Sequence, residues 1–284
     1  LLARLADIVD ARVPDLARYH LPEVVAQFAT SLRRELDFVA ECRSAERIAA
    51  NFADHPGLVI PRVHWEWTRA SVAVQEYIDG VAGSDLAGMQ AAGLDRRQLA
   101  RLGAGIVLKM VLEDGLFHAD PHPGNLFFLR DGRLALIDFG MVGRLSQQRR
   151  GEVAVLLHGL ATQRPSAVSE VLLDWAGGVE VDESALVQDI AALVDTYRGV
   201  ALKDLRVGSM LAEITGLLRH YGLTLPPDLA LMIKTFLTLD GVGRQLDPDF
   251  DMASVARPFL ERAIARRYAP GALWQRGRDH ADNW

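Results

Sequence analysis

Three side chains in a fixed order, Asp120, Asn125 and Asp138, with His118 just ahead of them, are the residues of this chain whose types and spacing point most directly to chemistry. Asp120 closes His118-Ala119-Asp120, Asn125 follows five positions later, and Asp138 opens Asp138-Phe139-Gly140. An aspartate near the start of a loop accepts a proton from an incoming hydroxyl or orients a water. An asparagine at the loop's end reaches a magnesium ion that an aspartate on the next strand also binds. Asp120 is then base or positioner, and Asn125 and Asp138 are metal ligands. His118 joins Asp120 in the catalytic group as the residue that orders the loop, and His122 either touches phosphate or caps the turn.

Each short motif is weak alone, because a fixed position matches by chance about one time in twenty. The joint match is specific. The bland alternative makes His118 and Asp120 a satisfied polar cluster and lets Asp138 merely end a strand. Pro121-His122-Pro123-Gly124 stiffens the loop and permits close backbone approach. Leu126 to Leu129 reads as a strand, Asp131-Gly132 as a tight turn, and Leu134 to Ile137 as the strand that delivers Asp138.

Upstream, Pro22 to about Phe52 reads as one long helix, with Val25, Phe28, Leu32, Leu36 and Val39 forming an apolar stripe decorated by Glu35, Asp37 and Glu41. Leu58 to Trp67 and Ser71 to Ile78 read as a hairpin that runs into Glu76-Tyr77-Ile78-Asp79-Gly80. A helix over Arg96 to Asp114, stopping at Gly115, leads into the His118 loop. Beyond Gly143 the chain reads as helical: Gln147 to Thr162, Ser166 to Trp175, Glu183 to Tyr197, Ser209 to Tyr221, Asp228 to Leu239 and Ala253 to Tyr268.

Composition narrows the function classes. With 284 residues, 50% hydrophobic and 24% charged, the chain is long enough for two modest lobes or one large domain. A net charge of -6 argues against a nucleic-acid partner. One cysteine, Cys42, leaves no internal disulfide and fits a reducing, cytoplasmic setting. No uncharged apolar run approaches the roughly 20 residues that span a bilayer. The start at Leu1, without methionine or signal peptide, is expected of a fragment or truncated reading frame.

The quoted segments resemble the UbiB/AarF family of atypical, protein-kinase-like proteins. The resemblance rests on Glu35-Leu36-Asp37-Phe38 with Glu41, on Glu76 to Gly80, on Phe117 to Asn125, on Ile137 to Gly140, and on Gly241 to Pro248. It implies an α+β, protein-kinase-like fold. A partial N-lobe over residues 1–80, a long helix plus antiparallel strands, would precede a mostly helical C-lobe over 81–284. It further implies ATP and Mg2+ as cofactors, adenine contacts from the backbone at Glu76 and Ile78, a lysine-pairing role for Glu41, and a Glu-x-Asp pair in Glu35 and Asp37. Helix geometry alone does not choose among the three acids. The implied acceptor is a small molecule or a lipid such as a quinone precursor, and the implied setting is the cytoplasm with peripheral contact at the inner face of the membrane.

The departures matter as much. Lys109, Lys203 and Lys234 are the three lysines, and none lies upstream of Lys109, in the strands where the phosphate-binding lysine belongs. The strand lysine that grips the α- and β-phosphates, the glycine- or alanine-rich nucleotide loop and the family's Lys-x-Gly-Gln segment are all expected upstream of Leu1. ATP turnover by residues 1–284 alone is therefore expected to be negligible. Ala119 stands where ordinary protein kinases carry arginine, and no Ala-Pro-Glu follows Asp138, which argues against a phosphorylation-activated protein kinase. The competing functions are an aminoglycoside- or choline-type phosphotransferase, and a nucleotide- or lipid-binding pseudokinase.

Overall fold

The computed structural model describes residues 36–176, 182–197, 207–223 and 225–267, together with Leu2, Arg4, Leu5, Pro22, Val25 and Ala26. The expected helix from Pro22 does not run unbroken to Phe52. Leu36 lies in a turn, and Asp37 starts a new helix, α1 (Phe38–Asn51), by accepting the Ala40 N–H on its carboxylate at 3.1 Å. A short acidic side chain caps a helix start better than it serves a helix interior, so the break falls at Asp37. Cys42, Ala45 and Ile48 form the buried face of α1. Glu35 lies outside the described residues.

The expected hairpin over Leu58 to Ile78 is reduced to isolated bridges, Val63 with Gln75 and Arg69 with Val72. Its first two residues, β1 (Leu58–Val59), pair instead in parallel with a later strand. Pro61 supplies no ladder donor. The Thr68 hydroxyl, bonded to the His64 carbonyl at 3.0 Å and the Val74 N–H at 3.1 Å, closes a compact turn where a ladder would have continued.

The central hairpin follows its sequence reading closely. β4 (Leu126–Phe128) and β5 (Leu134–Leu136) are antiparallel with Leu126 opposite Leu136, and Gly132 at φ 83° makes the turn. With β2 (Val81–Ala82) on one side and β1 on the other they form a sheet of order β1-β5-β4-β2. A second pair, β3 (Leu116–His118) with β6 (Val142–Arg144), holds the two segments flanking the chemistry side by side. Gly143 is required there, because the Phe117 ring occupies the space a Cβ would fill.

Helices build the rest. α2 (Leu86–Ala91) leads to α3 (Arg96–Lys109), capped by Asp95 and buried through Leu99, Ala100, Ala104, Ile106, Val107 and Leu108. α3 widens into a π-helical turn, Met110–Asp114, before Gly115 ends it in the left-handed conformation at φ 71°. Lys109 braces this end: its ammonium bonds Asp114 at 2.8 Å and the Asn51 carbonyl at 3.1 Å, and sits over the Phe52 ring. α4 (Gln147–Ala161), α5 (Pro165–Ala176), α6 (Glu183–Thr196), α7 (Val207–His220), α8 (Pro227–Leu246) and α9 (Met252–Arg267) follow. α8 runs well past Leu239, its expected end. Gly243 does not stop it, because that glycine accommodates the Phe250 ring rather than a left-handed turn. One continuous apolar cluster joins α1, α3, the central hairpin and the helices.

Replacing Gly143 with alanine must push the fully buried Phe117 ring out of place. Gly143→Ala is expected to cost about 1–3 kcal/mol, read as a lower denaturant midpoint, and an unchanged midpoint would contradict the packing described.

Candidate active site

The loop after β3 and the segment after β5 are joined through backbone and one histidine. Ile137, immediately before Asp138, donates its N–H to the Asn125 carbonyl at 3.1 Å, and its own carbonyl lies 3.1 Å from His118 Nε2. His118 Nδ1 accepts the Asp120 N–H at 3.1 Å. A nitrogen that accepts at Nδ1 leaves the proton on Nε2, so His118 is a neutral imidazole donating to Ile137. It is fully buried against the Phe139 ring, and this burial holds its pKa below the ordinary value. One further bond, Ala119 N–H to the Met141 carbonyl at 3.0 Å, closes the join. His118 therefore orders the loop, and it is saturated by these contacts.

Asp120 is half-buried. Asn125 donates its side-chain N–H to the Asp120 carbonyl at 3.2 Å, so the amide oxygen of Asn125 stays available as an acceptor. Asp138 adopts φ 60°, the left-handed region that costs a non-glycine residue on the order of 1–3 kcal/mol. Its Oδ1 accepts the Gly140 N–H at 3.2 Å, and the residue as a whole is exposed. An amide oxygen and a carboxylate oxygen are hard donors of the kind magnesium prefers. His122 caps the 3-10 turn Pro123–Asn125 by accepting the Gly124 N–H on Nδ1 at 3.0 Å, so its capping role is in place and only Nε2 remains for a ligand.

The acids of the first helix separate clearly. Glu41 reaches across to accept the Phe139 N–H at 3.2 Å, tying α1 to the residue after Asp138. Asp37 caps the helix through one carboxylate oxygen, Oδ1. On the other side, Glu76 exchanges bonds with Arg62: its N–H meets the Arg62 carbonyl at 2.8 Å and its carboxylate the Arg62 N–H at 3.3 Å. The Glu76 carbonyl and the Ile78 N–H have no backbone partner among the described residues.

Two residues on α8 complete the neighbourhood and were not singled out from sequence. The buried Thr235 hydroxyl lies 3.3 Å from the Ala119 carbonyl and 2.9 Å from the Leu231 carbonyl. Lys234, one position earlier, places its ammonium 3.3 Å from Asp120 Oδ2. The available signal was a Lys-Thr pair interrupting the apolar run Leu229 to Leu239, but nothing in spacing alone connects it to a loop more than 100 positions away.

This arrangement is that of a protein-kinase-like fold. Residues 1–172 match the ABC1 atypical kinase-like domain and residues 190–251 the UbiB helical domain. The chain belongs to the ABC1 atypical kinase-like, or UbiB/AarF, family. It is 32% identical to the probable protein kinase UbiB of Cellvibrio japonicus over all of this chain and 52% of that protein. It is 34% identical to the probable protein kinase UbiB of Azotobacter vinelandii, covering 96% of this chain and 51% of that one. The chain thus spans about half the length of these curated relatives. Among solved structures, that of Rv3197 with erythromycin from Mycobacterium tuberculosis shares the fold, with a TM-score of 0.56 and 21% identity over 83% of this chain and 61% of that one.

Because His118 is held neutral, the unfolded chain takes up its proton more readily than the folded one. Its contribution is complete above the ordinary histidine pKa of about 6.5 and declines as pH falls below it toward the folded value. His118→Ala is expected to lose about 2–4 kcal/mol at neutral pH, since it leaves the Ile137 carbonyl and the Asp120 N–H without their partner and opens a cavity. The stability difference between wild type and variant should narrow below pH 6.5; a difference independent of pH would contradict the neutral assignment.

Proposed function

We propose that the intact protein is an atypical kinase or ATPase that binds magnesium and ATP and hydrolyses the nucleotide or transfers its γ-phosphoryl group. The observation that carries this reading is the joining of Asp120, Asn125 and Asp138 into one site by His118 and Ile137, with Glu41 bonded to the amide of Phe139. Asp120 orients a water or hydroxyl and accepts its proton. Asn125 and Asp138 would hold magnesium, whose charge offsets that on the phosphate oxygens. Adenine would take the Glu76 carbonyl and the Ile78 N–H, which is consistent with their lack of other backbone partners. Glu41 pairs with the phosphate-gripping lysine of the longer protein, while Glu35 and Asp37 serve the family's N-terminal segment. The same reading divides the chain into a partial N-lobe over 1–80 and a C-lobe over 81–284.

Family membership supports a role in isoprenoid quinone biosynthesis, of ubiquinone or menaquinone, or in lipid handling. The acceptor would be a small molecule or lipid met at a membrane surface. Peripheral rather than spanning contact is consistent with the described helices, none of which is long and apolar enough to cross a bilayer.

The test is ATP turnover by the full-length protein. Asp138→Asn and Asp120→Asn are each expected to lower kcat by about 100-fold or more, with Asp120→Asn leaving ATP affinity near the wild-type value. Turnover that survives both substitutions would remove this site from the reaction.

A further inference from the structure

We propose that Lys234 is a further catalytic residue, the cation that contacts the phosphoryl group in transit. The inference rests on the magnesium-ATP reading above and goes beyond it by adding a group from a helix distant in sequence. Thr235 marks the placement: its wholly buried hydroxyl shares its proton between the Leu231 carbonyl of its own helix at 2.9 Å and, at 3.3 Å, the carbonyl of Ala119, the residue before Asp120. With Thr235 buried against the loop, Lys234 stands beside Asp120, its Nζ 3.3 Å from Asp120 Oδ2 and 3.5 Å from Met141 Sδ.

A purely structural role explains little. The Lys234 side chain is 46% exposed and that of Asp120 32%, and ion pairs in such settings contribute little to folding. An ammonium carries three donors. The weak acceptor Met141 takes one of them, while Asp120 faces the ammonium as an ion pair at 3.3 Å, so donors remain for a ligand beside Asp120. Lys109 is no substitute, since Asp114 and the Asn51 carbonyl hold it at the far end of α3. Among the described residues no other lysine or arginine is ion-paired with Asp120 or Asp138.

The chemistry needs such a cation. As the oxygen of water or an acceptor hydroxyl forms its bond to the γ-phosphorus, the bond from that phosphorus to the bridging oxygen breaks and its electron pair leaves with ADP. The nucleophile's proton passes to Asp120. Charge spread over the equatorial phosphoryl oxygens at that moment is what a positioned ammonium stabilises. Lys234 also holds the Asp120 carboxylate, so one side chain couples the base to the group being transferred.

The experiment uses the full-length protein and compares wild type, Lys234→Met and Lys234→Arg for Mg-ATP and Mg-ADP affinity, ATP turnover and thermal midpoint. Lys234→Met is expected to lower kcat by about 100-fold and to weaken ATP while leaving ADP within about twofold, with Lys234→Arg recovering part of both losses. Unchanged turnover and an unchanged ATP-to-ADP preference in Lys234→Met would overturn the proposal. So would equal loss of both nucleotides with a lowered midpoint, which is the behaviour of a brace. If wild type binds ATP without hydrolysing it, the ATP-to-ADP preference decides alone. If wild type binds neither nucleotide, the magnesium-ATP reading itself fails and this assignment falls with it.

Discussion

The buried imidazole of His118 is the interaction on which the rest of the site depends. Its two ring nitrogens are both used, one accepting from Asp120 and the other donating to Ile137, so a single side chain sets the distance between the loop that carries Asp120 and the segment that carries Asp138. Charging that ring would turn its Nδ1 into a second donor facing the Asp120 N–H. Burial prevents this by penalising the cation, so the low dielectric of the core and the hydrogen-bond pattern reinforce each other.

Around this link the fold supplies three further restraints from distant parts of the chain. The β3 and β6 pair keeps the two segments in register, at a separation that only a glycine at 143 permits beneath the Phe117 ring. Glu41 reaches from α1 to the Phe139 amide, and Thr235 reaches from α8 to the Ala119 carbonyl. Asp138 can then be held in a left-handed conformation that an isolated aspartate would seldom keep. Strain at that residue is tolerated because the residues on either side of it, Ile137 and Phe139, are bonded to other elements.

Local chemistry was legible in the sequence wherever it was also local in space. The hairpin from Leu126 to Leu136, the glycine turn at 132 and the left-handed stop at Gly115 follow from alternation and glycine placement. Glu41 was distinguishable from Asp37 only in three dimensions, because a helix face shows which acids share a side but not which one meets a partner. The hairpin before Gly80 was overread, since alternation cannot register the hydroxyl of Thr68 competing for the ladder. Lys234 and Thr235 were invisible because their partners are defined by packing of α8, where a lysine looks like an ordinary solvent-facing charge.

His118 is a neutral bridge protonated on Nε2. Nitrogen-15 chemical shifts of its imidazole, followed from pH 8 to pH 5, test this directly. One pyrrole-like Nε2 and one pyridine-like Nδ1 are expected, with the pair of shifts unchanged through the ordinary histidine titration near 6.5. Titration at that pH to an imidazolium, or a proton found on Nδ1, would contradict it.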